Sequence, residues 1–185
     1  MPRLRADAAR NRERVLAVAR AAVDEGDLGL PLNDIAHRAG VGVGTVYRHF
    51  PTRTALLETL SEPAFAEMVA EARRATTEEP AAGLARLLHG GLRLMLADAA
   101  FGEVLASDPS DDRVGAAFAE LLDLAEQVLG RARDEGVLRP DITPDDVRRL
   151  VCGLGYAARA GGTSGAPERG ARYLDVVLAG LRPMR

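Results

Sequence analysis

The sequence predicts an all-α protein in two parts, a small N-terminal three-helix unit and a larger helical body. Three observations carry this. Apolar residues recur at helical spacing along the 185 residues, and alternation of period two is never sustained. Aromatic residues are 4% of the chain and tryptophan is absent. The core must then be built of Ala, Leu and Val, which suits close-packed helices better than a β-sandwich. Glycines and prolines fall where helices would stop and start.

The first helix is predicted over about 7–25, with Leu16, Ala19 and Val23 on one face and Gly26 as its stop. A short helix follows over about 32–39, turning Leu32, Ile35, Ala36 and Ala39 inward until Gly40 breaks the pattern. Another runs over about 43–50 and ends before Pro51, which cannot donate a backbone hydrogen bond. Thr52 is a good N-cap for a fourth helix reaching about residue 75. Pro63 lies inside that helix and should kink it. Further helices are expected near 80–99, 111–135, 144–161 and 167–182, with one short turn at 101–106. Gly136 ends one of them. Thr143-Pro144-Asp145-Asp146 opens the next with a cap, a proline at the first helical position and two acids at the positive helix end.

Bulk properties exclude several classes. No apolar run is long enough to span a membrane. The basic N-terminus has no apolar stretch behind it, so it does not read as a secretory signal. A single cysteine, Cys152, rules out an internal disulfide framework, and a cytoplasmic protein is expected. No catalytic set, cofactor motif or metal-ligand spacing stands out, so neither an enzyme nor a cofactor is expected. The acidic cluster Asp108, Asp111 and Asp112 lacks the glycine and final glutamate of a calcium loop and reads as a helix start. Net charge is −3, but it is uneven: residues 1–55 hold nine arginines against six acids, the remainder fifteen against twenty-one. A basic head on an acidic body can approach a phosphate backbone with one end.

The informative segment is LNDIAHRAGVGVGTVYRHFPTR, residues 32–53. It reads as helix, glycine-containing turn, helix. Ile35, Ala36, Val41, Val46 and Phe50 can form the small core that fixes the two helices. Val43, Gly44, Thr45, Tyr47, Arg48 and His49 are left on the other face, a mixture suited to a DNA major groove. Tyr47 is read as DNA-facing, with a core aromatic as the alternative; His49 contacts either a phosphate or a structural partner. GVGVGT is no nucleotide loop, because a helix and not a strand precedes it. Arg3, Arg5, Arg10 and Arg12 either touch phosphates or form a solvated arm.

The same segment resembles the TetR family of transcriptional regulators. The resemblance rests on Ile35-Ala36, Ala39-Gly40-Val41, Gly44-Thr45, Tyr47, His49-Phe50, Arg53 and Leu56-Leu57, and is clear over about residues 7–60. It implies a dimeric, DNA-binding regulator, most often a repressor, with a DNA-binding domain at 1–55 and a ligand-binding and dimerisation domain at 56–185. It implies that Val43, Gly44, Thr45, Tyr47 and His49 meet bases and phosphates of double-stranded operator DNA, and that Arg53 pairs with a phosphate at a helix N-terminus. Pro31 and Gly42 depart from the pattern, which has Thr and Ser there, and each departure removes a hydroxyl.

Two further expectations follow for the body. Val147, Leu150, Val151 and Leu154 form one apolar stripe and Leu174, Val177, Leu178 and Leu181 another. In the family the equivalent helices pair across a two-fold axis, which makes these the expected homodimer interface; packing inside one subunit is the alternative. The resemblance also implies a small-molecule effector among the central helices. A mostly apolar cavity is expected from Met68, Leu92, Met95, Phe101, Phe118, Leu122 and Tyr156, with His89 and Arg93 as polar handles. The bland alternative for each is simple core packing. The glycines and alanines at 153–162 would let backbones approach closely, and Cys152 reads as a small buried hydrophobe.

Overall fold

A computed structural model describes residues 2–107, 109, 112–160 and 162–183, with side chains from Asp7 onward and that of Asp112 excepted. The arm residues Arg3 and Arg5 and the cluster Asp108, Asp111 and Asp112 therefore lie outside the described side chains. Among the described residues the chain forms nine α-helices and no strand. They are α1 (Pro2–Asp24), α2 (Leu32–Ala39), α3 (Val43–His49), α4 (Arg53–Ala75), α5 (Pro80–Ala97), α6 (Ala99–Ala106), α7 (Asp112–Asp134), α8 (Pro144–Arg159) and α9 (Ala166–Gly180).

Helices α1 to α3 make the head. Gly40 ends α2 in the left-handed region (φ 60°), and its N–H and that of Val41 close back on the last turn of α2. Ile35, Ala36, Val41, Val46 and Phe50 are all buried, so the small core holds α2 and α3 against Val15, Ala19 and Val23 of α1. Thr52 caps α4 by accepting from the Ala55 N–H at 3.0 Å. Helix α4 then runs unbroken through Pro63 from the head into the body, where it packs against α5, α6 and α7.

The region near residue 98 departs from expectation. The fifth helix stops at Ala97 instead of continuing to 99, and an eight-residue helix replaces the short turn. Asp98 is the cause. Its backbone is extended (φ −132°, ψ 107°), and its carboxylate caps the next helix by accepting from the Phe101 N–H at 3.0 Å. Thr143 and Asp146 form a reciprocal capping box at the start of α8. The hydroxyl and backbone N–H of Thr143 hold the Asp146 carboxyl below the ordinary aspartate range.

The small residues of α8 behave unequally. Gly155 lies under Met95, where a Cβ would come within 3.0 Å of the methionine side chain, whereas Gly153 faces open space. Close approach of α8 to α5 thus depends on Gly155.

Candidate DNA-binding face and effector cavity

Helix α3 has one buried residue, Val46. Val43, Gly44, Tyr47 and Arg48 are exposed, and Thr45 and His49 are half-buried. Val43 and Tyr47 are each 45% exposed, and they stand one helical turn apart on the outer face. Neither Pro31 before α2 nor Gly42 before α3 makes a side-chain cap bond, so the first N–H groups of both helices are not taken by a capping side chain. Such helix starts attract anions.

Three arginines of this region have defined partners. Arg48 folds back to donate to the Gly44 carbonyl at 3.2 Å. The Arg12 guanidinium lies 5.5 Å from the centre of the Phe50 ring, so this arginine of α1 is stacked and not simply solvated. Arg53 is more constrained than its sequence position suggests. It donates to the Leu28 carbonyl in the loop between α1 and α2 and stands 3.9 Å from the Glu103 carboxylate of α6. A phosphate at the start of α4 would compete with these two acceptors.

The body contains a cavity of about 50 Å³ among α4, α5, α6, α7 and α8. Of the nine expected lining residues it brings together Met68, Phe118 and Leu122. The other six lie outside its lining. Met95 and Phe101 are buried in packing outside the cavity lining, Phe101 edge-on to Phe65 with ring centres 4.9 Å apart. Leu92 turns toward α9, and with His89 and Arg93 it lines a separate surface groove beside Pro167 and Ala171. His89 and Arg93 are exposed on the outer side of α5, and Arg93 pairs with Glu67 at 2.7 Å, so neither is a handle for the interior. Tyr156 points outward and is 77% exposed.

The polar group at the cavity is one that the sequence did not single out, Arg148. Its guanidinium donates to the Leu105 carbonyl at 2.8 Å and to Asp145 at 2.6 Å, and lies 6.0 Å from the Phe118 ring centre. These bonds hold the Asp145 carboxyl below its ordinary range, with Arg148 the main cause. The clue in the sequence was the Asp145–Arg148 spacing of three, which ties an arginine down beside the stripe that begins at Val147. Burial pushes the half-buried Cys152 thiol up, against the pull of Arg148, which fits a packing residue.

The expected dimer stripes divide in the same way. Val147, Val151, Leu174 and Leu181 are at most 5% exposed inside the protomer, and Val147 and Val151 line the cavity. They cannot be presented to a second copy. Leu150, Leu154, Val177 and Leu178 are half-buried. The outermost apolar groups are instead Tyr156 on α8 and Val176 on α9, the latter 72% exposed. A period of 3.6 places a stripe on a helix but does not say which neighbour it meets.

Comparison with known proteins bears on the whole chain. The family model for bacterial regulatory proteins of the tetR family matches residues 15–60. The model described as the C-terminal domain of SbtR-like transcriptional regulators matches residues 79–183. None of the curated proteins matches. Among solved structures, a TetR transcriptional regulator from Streptomyces coelicolor is 28% identical, covering 94% of this chain and 99% of that one, with a TM-score of 0.54. A ketosteroid transcriptional regulator of Mycobacterium tuberculosis is 25% identical over 94% and 95% of the two chains, with a TM-score of 0.62. SmeT, the repressor of a multidrug efflux pump of Stenotrophomonas maltophilia, is 27% identical over 93% and 90%, with a TM-score of 0.60. With family models of regulators of this kind matching both its head and most of its body, this chain belongs to the TetR family of transcriptional regulators.

Proposed function

We propose that this protein is a homodimeric repressor that holds operator DNA through α3 and releases it when a small, mostly apolar effector enters the body. It is read as a cytoplasmic regulator without catalytic activity. The observation that carries the reading is the outer face of α3, where Val43, Gly44, Tyr47 and Arg48 are exposed while Val46 alone anchors the helix. Small, aromatic and basic groups on a short helix with an uncapped start suit base edges and phosphates of a major groove. Thr45 and His49 flank that face, and Arg53 and Arg12 supply charge at its edges. Residues 1–55 serve as the DNA-binding part and 56–185 as the effector and dimer part, with α4 running through the boundary.

Effector binding is supported by the apolar cavity at Met68, Phe118 and Leu122. At about 50 Å³ it is far below the roughly 300–1,000 Å³ of ordinary ligand sites. An effector must therefore open it, which means it favours a body conformation different from this one. SmeT has been solved as a triclosan complex, which supports a small apolar effector here. Tyr156 and Val176, flanked by Leu150, Leu154, Val177 and Leu178, are the surface proposed for the second copy.

The test is a selection of fragments of the source genome by the purified protein, followed by a gel shift. Two-fold symmetric sites are expected, with half-sites about 34–36 Å apart. Affinity should fall by about 10³–10⁵ between 50 and 200 mM salt if six to ten phosphates are contacted. Recovery of no preferred sequence, even at low salt, would sink the reading.

A further inference from the structure

We propose that Arg20 and Asp98 form the joint that fixes the angle of the head on the body, making Asp98 the residue through which α6 positions the DNA-binding helices. The inference rests on the regulatory reading above and names residues that it does not use.

Asp98 stands between two helices and divides its carboxylate between two tasks. One oxygen accepts the Phe101 N–H at 3.0 Å and so starts α6. The other accepts from Arg20 of α1 at 2.9 Å. Arg20 uses its second amino group to donate to the Leu60 carbonyl of α4, one turn before Pro63. One arginine therefore ties the first helix of the head to two helices of the body. The ion pair is sheltered, with the Asp98 side chain 17% and the Arg20 side chain 35% exposed.

The continuous helix α4 and the bonds of Arg53 to Leu28 and Glu103 also join the two parts, but Arg20 alone among these links starts from α1. Helix α1 packs on α2 and α3 and also meets α4 and α6. A half-sheltered ion pair adds little to stability. Its directional bonds fix orientation, since Arg20 can reach both acceptors only within a narrow range of angles. The other end of α6 reaches the cavity through Leu105, about 10 Å along an eight-residue helix. Leu105 thus places the far end of α6 at the cavity wall, and Asp98 places its near end at the head. Glu103, also on α6, faces Arg53 at 3.9 Å, so the same helix bears on the start of α4.

The test separates this joint from the regulatory reading. Asp98→Asn keeps a side chain that caps α6 about as well as aspartate but removes its charge; Arg20→Ala leaves the cap untouched. Spin labels at Arg38→Cys in the head and Ala119→Cys in the body, with Cys152→Ser, report the angle within one protomer when labelled chain is diluted into unlabelled chain. A single narrow distance is expected for the parent and a broadened, shifted distribution for both variants, with unchanged helix content. On a fragment selected by the parent protein, each variant should bind about tenfold more weakly, within the range of ordinary couplings. The double variant should lose no more than either single one. If both variants keep the parent distribution, the joint is refuted whatever the DNA result. If the parent selects no DNA but the distributions broaden, the joint stands as a positioning device and the regulatory reading fails.

Discussion

In the head, residues that share a task are neighbours in sequence; in the body they are gathered from five helices between Met68 and Val151. The contrast explains where each part could be read. One short helix decides the proposed recognition face: once Val46 is turned inward, its neighbours must point out. The small core beneath it lies within residues 35–50, plus one side of α1. Crossing angles add little there. A cavity is what remains after several helices have packed, and its lining depends on rotations of each helix by a few tens of degrees. Met95 and Phe101 are apolar and central, as expected, yet they fill space that the cavity does not reach.

The nine helices and their caps were largely legible, because Gly40, Thr52, Gly136 and Thr143 act locally. The exception was Asp98, an ordinary acid in the sequence whose capping role depends on an extended backbone between two helices. The apolar stripes of α8 and α9 were found but assigned to the wrong neighbour in part. Leu174 is fully buried within the protomer, and Tyr156, expected inside, is the most exposed large apolar side chain among the described residues.

The sharpest test of the body is therefore Leu174→Ala against Tyr156→Arg combined with Val176→Arg. The first should destabilise the protomer itself by about 2–5 kcal/mol through a cavity in a fully packed site, lowering the denaturation midpoint. The second should leave the folded protomer intact by circular dichroism while light scattering reports a single chain. A stable Leu174→Ala protein, or an arginine pair that remains dimeric, would mean that the two faces of these helices have been assigned the wrong way round.

For the head the corresponding test is Tyr47→Ala against Arg53→Ala. Tyr47 is free on the outer face, and its loss should remove about 1–3 kcal/mol of discrimination between the selected site and a mutated one. Arg53 should weaken every sequence alike and reduce the salt slope by about one. Because it already bonds Leu28 and faces Glu103, part of its phosphate bond replaces existing contacts. Its effect on affinity should therefore be smaller than that of an unengaged arginine. Loss of discrimination in Arg53→Ala, with none in Tyr47→Ala, would show that the face has been placed one turn off.

The smallest effect lies in two glycines of the turn, two residues apart and with opposite requirements. Gly40 has a φ of 60°, which a side chain adopts only at a cost of roughly 1–2 kcal/mol, although a Cβ there would meet nothing closer than Arg14 at 3.9 Å. Gly40→Ala should therefore destabilise the head through its backbone alone. Gly42 has a φ of −61° and a ψ of 135°, the ordinary extended conformation of an N-cap, and a Cβ there would rest 3.8 Å from the Thr45 hydroxyl without strain. The Thr45 N–H already donates to the Gly42 carbonyl at 2.8 Å, and a serine hydroxyl at that place would offer it a second acceptor. Gly42→Ser should thus stabilise the protein by a few tenths of a kcal/mol, which is about 1 °C in melting temperature for a chain of this size. A thermal melt in triplicate resolves that shift. A fall instead of a rise would mean that the start of α3 needs the freedom of glycine, and that the turn is set by Gly40 and Gly42 together and not by Gly40 alone.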